Sequence, residues 1–535
     1  MSEAASRPAR HPGIGSAARS IAVLNLASRV AGFARTLVFA ACVGTTAVGA
    51  PYQSANTVPN VVYEVAAGGI LSAVAVPLLA GRVADGDRDA ADGIGSALLT
   101  WAMAILVPVT VAVALAARAI AGVIYPPGDA RDLAARMLLI FAPQIVLYGI
   151  GIVVTGILHA HRRFVAAALA PLISSIVVIT TYLAYGALVA SGHTSSEVAV
   201  AVLAWGTTGG VLALVATLIP SLGRVGVRLR PTFRFPFDSA VRARRLASAG
   251  LLALLAQQAS VAVVLWLTNQ RAALGTINAY QYVQATYLLP YAVLAVPIAT
   301  AAFPVLAAGD GRDPRAGKAL AGSLGAIIVL SGAAAAALIA AAPALGAFFS
   351  AVDAGRSGPG ATALAALPTA MTAFAPGLVG FGVCALLTRA LYVRGRARTA
   401  STVVAAGWVL AAVVPVVLTI GRTDTAWTLT VIGVGSSVGM TLAALGLLGL
   451  VHHAWGSAAL AGLPRVVIGL AVGSVAGTLA ARVLAHLLPD PDGVVAAVSS
   501  GVVTGGLAAL ITVSGVALAA PAQVRALRSR LGRTR

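Results

Sequence analysis

The chain has 535 residues, of which 59% are hydrophobic and only 10% charged, and its mean hydropathy is +0.94. No water-soluble protein of this length needs so much apolar surface, and stretches of about 20 apolar residues, each able to cross a roughly 30 Å hydrocarbon core, recur throughout. The net charge of +20, from 36 Lys+Arg against 16 Asp+Glu, sits mostly in short loops between apolar segments, which fits membrane orientation and argues against nucleic acid as a partner.

Residues 1–16 read as a disordered basic tail with no removable signal peptide. Apolar periodicity then predicts fourteen spans, near 17–43, 51–80, 93–118, 132–158, 164–190, 198–222, 241–268, 276–307, 317–349, 361–390, 398–420, 426–451, 463–487 and 494–520. Every second loop is basic, as with Arg82 and Arg88, Arg162 and Arg163, Arg312, Arg315 and Lys318, or Arg394, Arg396 and Arg398. The alternate loops, such as "SGHTSSEV" and "LLPDPDG", carry little net charge. That alternation puts both termini in the cytoplasm.

The most basic stretch, 223–240, follows the sixth span. Span two opens on Tyr52 and Gln53 and ends with Pro77; span eight opens on Tyr280 and Gln281 and ends with Pro304. A match six spans apart predicts two lobes related by an axis along the membrane normal. The expected organisation is an all-α polytopic membrane protein. It has an N-lobe over 17–222, a basic cytoplasmic linker over 223–240 and a pseudo-symmetric C-lobe over 241–455. A terminal helix pair over 456–520 and a basic cytoplasmic tail over 521–535 complete it.

The polar residues within spans mark the candidate site. At 100° per residue, Asn25, Ser28, Arg29 and Arg35 share one face of span one. Gln53, Asn56, Asn60 and Glu64 share a face of span two, and Gln281 and Gln284 a face of span eight. An arginine at the centre of a span costs a few kcal/mol unless it faces water or a partner. A water-filled cleft between the lobes would satisfy both arginines, and a guanidinium fork binds phosphate oxygens in pairs. The competing reading pairs Glu64 with one of the arginines as structural glue. Pro59, Pro290 and Pro297 predict bends in spans two and eight. Cys42 and Cys384 give no disulfide framework or metal spacing. With no Walker A motif and no nucleophile–histidine pairing, the chain reads as a transporter with no cofactor, not as an enzyme.

"SRVAGFAR", Ser28 to Arg35, resembles the first-helix signature of the MurJ/MviN lipid II flippases, within the multidrug/oligosaccharidyl-lipid/polysaccharide exporter superfamily. The similarity continues through Val58–Asn60 to Val76 and Pro77 and returns at Pro290 and Pro304. The resemblance implies a cytoplasmic-membrane flippase for undecaprenyl-pyrophosphate-linked peptidoglycan precursor, working by alternating access. It also implies cavity arginines on the pyrophosphate, a lipid-tail groove in the last two helices, and cell-wall synthesis proteins as partners. Tyr63 and Ala285 stand where the family usually has arginines, and Glu64 where a basic residue is common. Two other activities therefore stay open: a flippase for another polyprenyl-linked glycan, and a cation-coupled multidrug exporter. A membrane scaffold acting through basic loops is a third reading. The membrane potential or an ion gradient remains as the energy source.

Overall fold

A computed structural model describes residues 14–65, 79–192, 197–234, 239–308, 314–489 and 491–521; within these, the side chains of 14–22, 25–26, 239–249 and 314 are not described. Helices dominate and no strand occurs among the described residues. In hydrocarbon every backbone N–H and C=O must be satisfied within its own segment, so a chain this apolar is helical. Twelve of the described helices are long and apolar enough to cross a membrane, from Arg88–Leu115 to Gly493–Ala519. They coincide one by one with predicted spans three to fourteen. The helix Ile14–Cys42 lies at predicted span one. Gly49–Glu64 covers the first part of span two, of which residues 66–78, with Pro77, lie outside the described residues.

The contacts divide the chain into two units. One comprises Met1–Val38, Leu71–Thr110 and Pro143–Ala240; the other comprises Phe39–Ile70, Val111–Ala142 and Val241–Arg535.

In the first unit, the Phe164–Ala190 and Glu197–Val225 helices pack side by side. Gly206 and Gly210 lie against Thr181 and Val178, where a Cβ would collide. Residues 227–234 form an extended strap along Arg88–Leu115. The backbone N–H of Arg228 donates to Asp92 Oδ2 (3.0 Å), that of Arg230 to Ser96 Oγ (2.9 Å), and that of Thr232 to Thr100 Oγ1 (3.0 Å). Two extended residues advance about 6.6 Å and four helical residues about 6.0 Å, so every second strap amide meets the next turn of the helix. The Trp101 indole N–H closes the row on the Phe233 carbonyl at 3.1 Å.

In the second unit, small residues set the packing. Between helices in lipid there is little hydrophobic drive, and close backbone approach does the work. Gly469, Gly473 and Gly477 repeat every four residues along Leu463–Leu487. A Cβ on them would fall 2.9, 2.8 and 2.6 Å from the carbonyl oxygens of Gly515, Thr512 and Ala508. The Gly493–Ala519 helix in turn packs on the alanine-rich Pro314–Val352 helix, where Ala336 and Ala340 are buried against Ala508 and Ala481.

Pro290 ends Thr276–Pro290, and a π-helical turn, Tyr291–Ala295, links it to Val296–Ala307. The regular α-helical ladder of span eight is thus interrupted directly after Pro290, a proline that supplies no N–H to it. Pro297 is the second residue of the next segment, directly after the π-helical turn. Pro59 sits inside Gly49–Glu64, which continues past it.

Candidate functional site

The polar faces predicted on spans two and eight fall in the same unit, on helices that touch each other. Gln53, Asn56 and Asn60 are half-buried on Gly49–Glu64, and Glu64 is exposed at its end. Gln281 and Gln284 are half-buried on Thr276–Pro290. The Gln284 amide donates to the Tyr280 hydroxyl at 2.7 Å. Arg29 and Arg35 belong to the other unit; both are exposed, and Ser28 is half-buried beside them. The Asn25 side chain lies outside the described residues. Arg82–Asp87 and Arg131–Asp132 are ion pairs among the described residues. Neither arginine and not Glu64 takes part in one, so the structural-glue reading gains nothing here.

Two polar clusters were not foreseen. In the first, Ser54 Oγ lies 2.8 Å from the Tyr125 hydroxyl and accepts from the Asn269 amide at 3.1 Å. All three are buried. Burial pushes the Tyr125 phenol well above its ordinary range, against a smaller opposing effect of its bond to Ser54.

The second cluster centres on Asp353, which is fully buried just past the end of the Pro314–Val352 helix. Oδ1 accepts from the Thr45 N–H (2.9 Å), the Thr45 hydroxyl (2.8 Å) and the Gly355 N–H (2.7 Å). Oδ2 accepts from the Tyr282 hydroxyl at 2.6 Å. No cation is needed, because four donors meet both oxygens. Tyr282 is held by stacking on Phe349, with ring centroids 4.6 Å apart and planes 3° from parallel. The turn that presents Thr45 needs Gly44 at φ +58°, a left-handed conformation that favours glycine. The Asn278 amide holds the Gly44 carbonyl, and the Ala354 N–H donates to Ala40 O at 2.9 Å. Gly355 and Gly360 press on Thr45 so closely that a Cβ on either would collide with it. A lone acid in "SAVDAGRSGPG" gave no periodic signal in the sequence. Only the fold brings it 308 positions back to Thr45.

Comparison with known proteins gives a consistent set of likenesses. The family model described as lipid II flippase MurJ matches residues 39–489. A probable lipid II flippase MurJ of Rhizobium meliloti (strain 1021) is 28% identical over 53% of this chain and 52% of its own length. The lipid II flippase MurJ of Burkholderia cenocepacia is 30% identical over 38% of this chain and 39% of its own. The chain thus aligns with about half or less of the length of these relatives. Among solved structures, a lipid II flippase MurJ in an inward closed conformation superposes with TM-score 0.69 at 16% identity, covering 92% of this chain and 98% of that one. An inward-facing MATE family multidrug resistance transporter of the MOP superfamily gives TM-score 0.64 at 15% identity, covering 83% and 99%. At such identities the superpositions speak for the fold alone.

Proposed function

Because the chain belongs to the lipid II flippase MurJ family, we propose that it carries lipid II, or a closely related polyprenyl-pyrophosphate glycolipid, from the inner to the outer leaflet of the cytoplasmic membrane. The observation that carries this reading is the family match over residues 39–489. The mechanism is alternating access by two six-helix lobes, with fourteen spans and both termini inside, as the alternation of basic loops supports.

The pyrophosphate is bound by Arg29 and Arg35. Both guanidiniums are exposed and lie outside the ion pairs described above, so their N–H forks are open to phosphate oxygens. Asn25, Ser28, Gln53, Asn56, Asn60, Glu64, Gln281 and Gln284 are the further polar residues that we assign to the cargo. The terminal helix pair holds the lipid tail. No nucleotide motif occurs, so the membrane potential or an ion gradient drives the cycle; about 2.3 kcal/mol per charge per 100 mV is enough to bias a two-state equilibrium.

The test uses cells depleted of their own lipid II flippase, with lipid II on the outer leaflet as the readout. The wild-type chain restores exposure, and Arg29→Ala abolishes it while the protein still inserts. Failure of the wild type despite correct insertion refutes lipid II as cargo and makes Tyr63 and Ala285 markers of another glycan. Full activity of Arg29→Ala refutes the assigned ligand.

A further inference from the structure

An open-mouthed cavity of about 490 Å³ lies within the second unit, lined by residues that include Gln257, Tyr291, Phe303, Arg389 and Trp408. That volume falls in the range of small-molecule sites, roughly 300–1,000 Å³. The cavity takes no part in the flippase reading above, and the inference drawn from it does not depend on that reading.

Its lining divides by chemistry. The Phe381 ring packs on Tyr291 with centroids 4.3 Å apart and on Trp408 at 6.0 Å, forming an aromatic wall. Eight residues further along the Gly377–Val393 helix, about 12 Å at 1.5 Å per residue, stands Arg389. The Arg394, Arg396 and Arg398 loop follows directly, so Arg389 sits one to two turns inside a basic membrane boundary. One of its N–H groups donates to the Ala385 carbonyl at 2.6 Å. A guanidinium has five donors, and no carboxylate lines the cavity.

A second observation is independent of the arginine. Tyr287 is 3% exposed, and its hydroxyl has no hydrogen-bond partner. Its neighbours Tyr291 and Cys384 both line the cavity. Leaving a buried hydroxyl unsatisfied is unfavourable, and a polar group of a bound molecule would remove that cost.

We propose that this cavity holds an anionic phospholipid of the adjacent leaflet, its phosphate on Arg389 and its acyl chain along Phe381, Tyr291 and Trp408. A cation is excluded by the arginine. A soluble anion gains nothing from the aromatic wall, whereas Phe303 and Tyr392, 41% and 39% exposed, extend that wall to the cavity's mouth, where an acyl chain would lie against it. A zwitterionic headgroup brings an ammonium for which the cavity has no acidic partner.

Trp408 lines the cavity and reports on it directly. The protein is reconstituted into bilayers containing a few per cent of brominated phosphatidylglycerol or, separately, brominated phosphatidylcholine. The quenching lost in Trp408→Phe is assigned to Trp408. Phosphatidylglycerol quenches Trp408 with an apparent affinity about fivefold higher than phosphatidylcholine, the size expected of one basic side chain at an anionic lipid surface. Arg389→Gln abolishes the preference and Arg389→Lys keeps most of it. Equal quenching by the two lipids in the wild type overturns the proposal, whatever the variants do. So does displacement of the brominated lipid by millimolar inorganic phosphate, which marks a soluble-anion site, and so does an unchanged preference in a folded Arg389→Gln.

Discussion

Thr45 and Asp353, 308 positions apart, are joined by two kinds of hydrogen bond, one from the Thr45 backbone and one from its hydroxyl. The same carboxylate takes the Tyr282 hydroxyl. Both Thr45 and Asp353 are fully buried, so breaking the group strands several donors without water. Asp353→Asn is expected to cost about 2–4 kcal/mol, because an amide presents N–H where donors already point and leaves them unsatisfied. A lowered unfolding midpoint in detergent checks it. The bonds belong to one network, so Asp353→Asn and Tyr282→Phe should couple by about 1–3 kcal/mol in a double-mutant cycle. Strict additivity would mean that Tyr282 is a bystander.

The clasp also makes a chemical prediction. Cys42 is half-buried three residues before Thr45, whereas Cys384 is buried. Releasing the turn with Asp353→Ala should raise the rate at which a membrane-impermeant maleimide labels Cys42, by about tenfold for each 1.4 kcal/mol lost from the closed turn. Cys42→Ser removes the signal. An unchanged rate would mean that the turn stays closed without its carboxylate.

The glycine stripe of the terminal pair is tested by two substitutions of the same kind. At Gly473 an added Cβ falls 2.8 Å from the Thr512 carbonyl, and at Gly506 it meets nothing within 4 Å. Gly473→Ala should therefore destabilise by about 1–3 kcal/mol as the two helices are forced apart. Gly506→Ala should be neutral or stabilising by up to about 1 kcal/mol, since alanine is the better helix former. Cysteine cross-linking across the pair, scored against temperature, separates the two cases. Equal behaviour would show that the helices do not depend on the stripe.

What could be read from the sequence follows from which signals are periodic. Apolar length is periodic and local, so twelve spans fell where predicted, and Pro290 marked the place where a π-helical turn interrupts span eight. The first-helix motif around Arg29 and Arg35 pointed to the right family. Asp353 was invisible because a single acid in a loop has no period, and its partners lie on distant helices. The strap was hidden for another reason. Residues 227–234 carry three arginines and read as a solvated linker, yet what fixes them is the backbone, which composition does not report. Asp92, Ser96 and Thr100 at spacing four were the available clue, an acceptor row along one face of a helix otherwise read for its apolar residues.

The strap gives a direct expectation. Its amides are held by neutral hydroxyls at Ser96 and Thr100, each bond worth about 0.5–1.5 kcal/mol. The double substitution Ser96→Ala with Thr100→Ala should free the segment and speed trypsin cleavage after Arg228 and Arg234 by about tenfold, the effect of roughly 1.4 kcal/mol on the open population. Cleavage after Arg230 is blocked by Pro231 in either case, an internal control. Unchanged kinetics would assign the hold to Asp92 and the Trp101–Phe233 contact, whose ring centroids are 5.3 Å apart.

Glu64 separates the flippase reading from that of a cation-coupled exporter. It is exposed and lies outside the ion pairs of the described residues, so Glu64→Gln should leave insertion and folding unchanged. If the cargo is a pyrophosphate held by Arg29 and Arg35, removing the Glu64 charge should leave lipid II exposure intact or raise it, since like charge repels the cargo. Ala285→Arg should act in the same direction by restoring a cation where the family commonly has one. An exporter of cationic drugs requires the opposite sign: Glu64→Gln would abolish proton-dependent dye efflux and Ala285→Arg would impair it. Measuring lipid II exposure and dye efflux on the same two variants therefore gives opposite patterns for the two activities, and neither pattern depends on knowing the energy source.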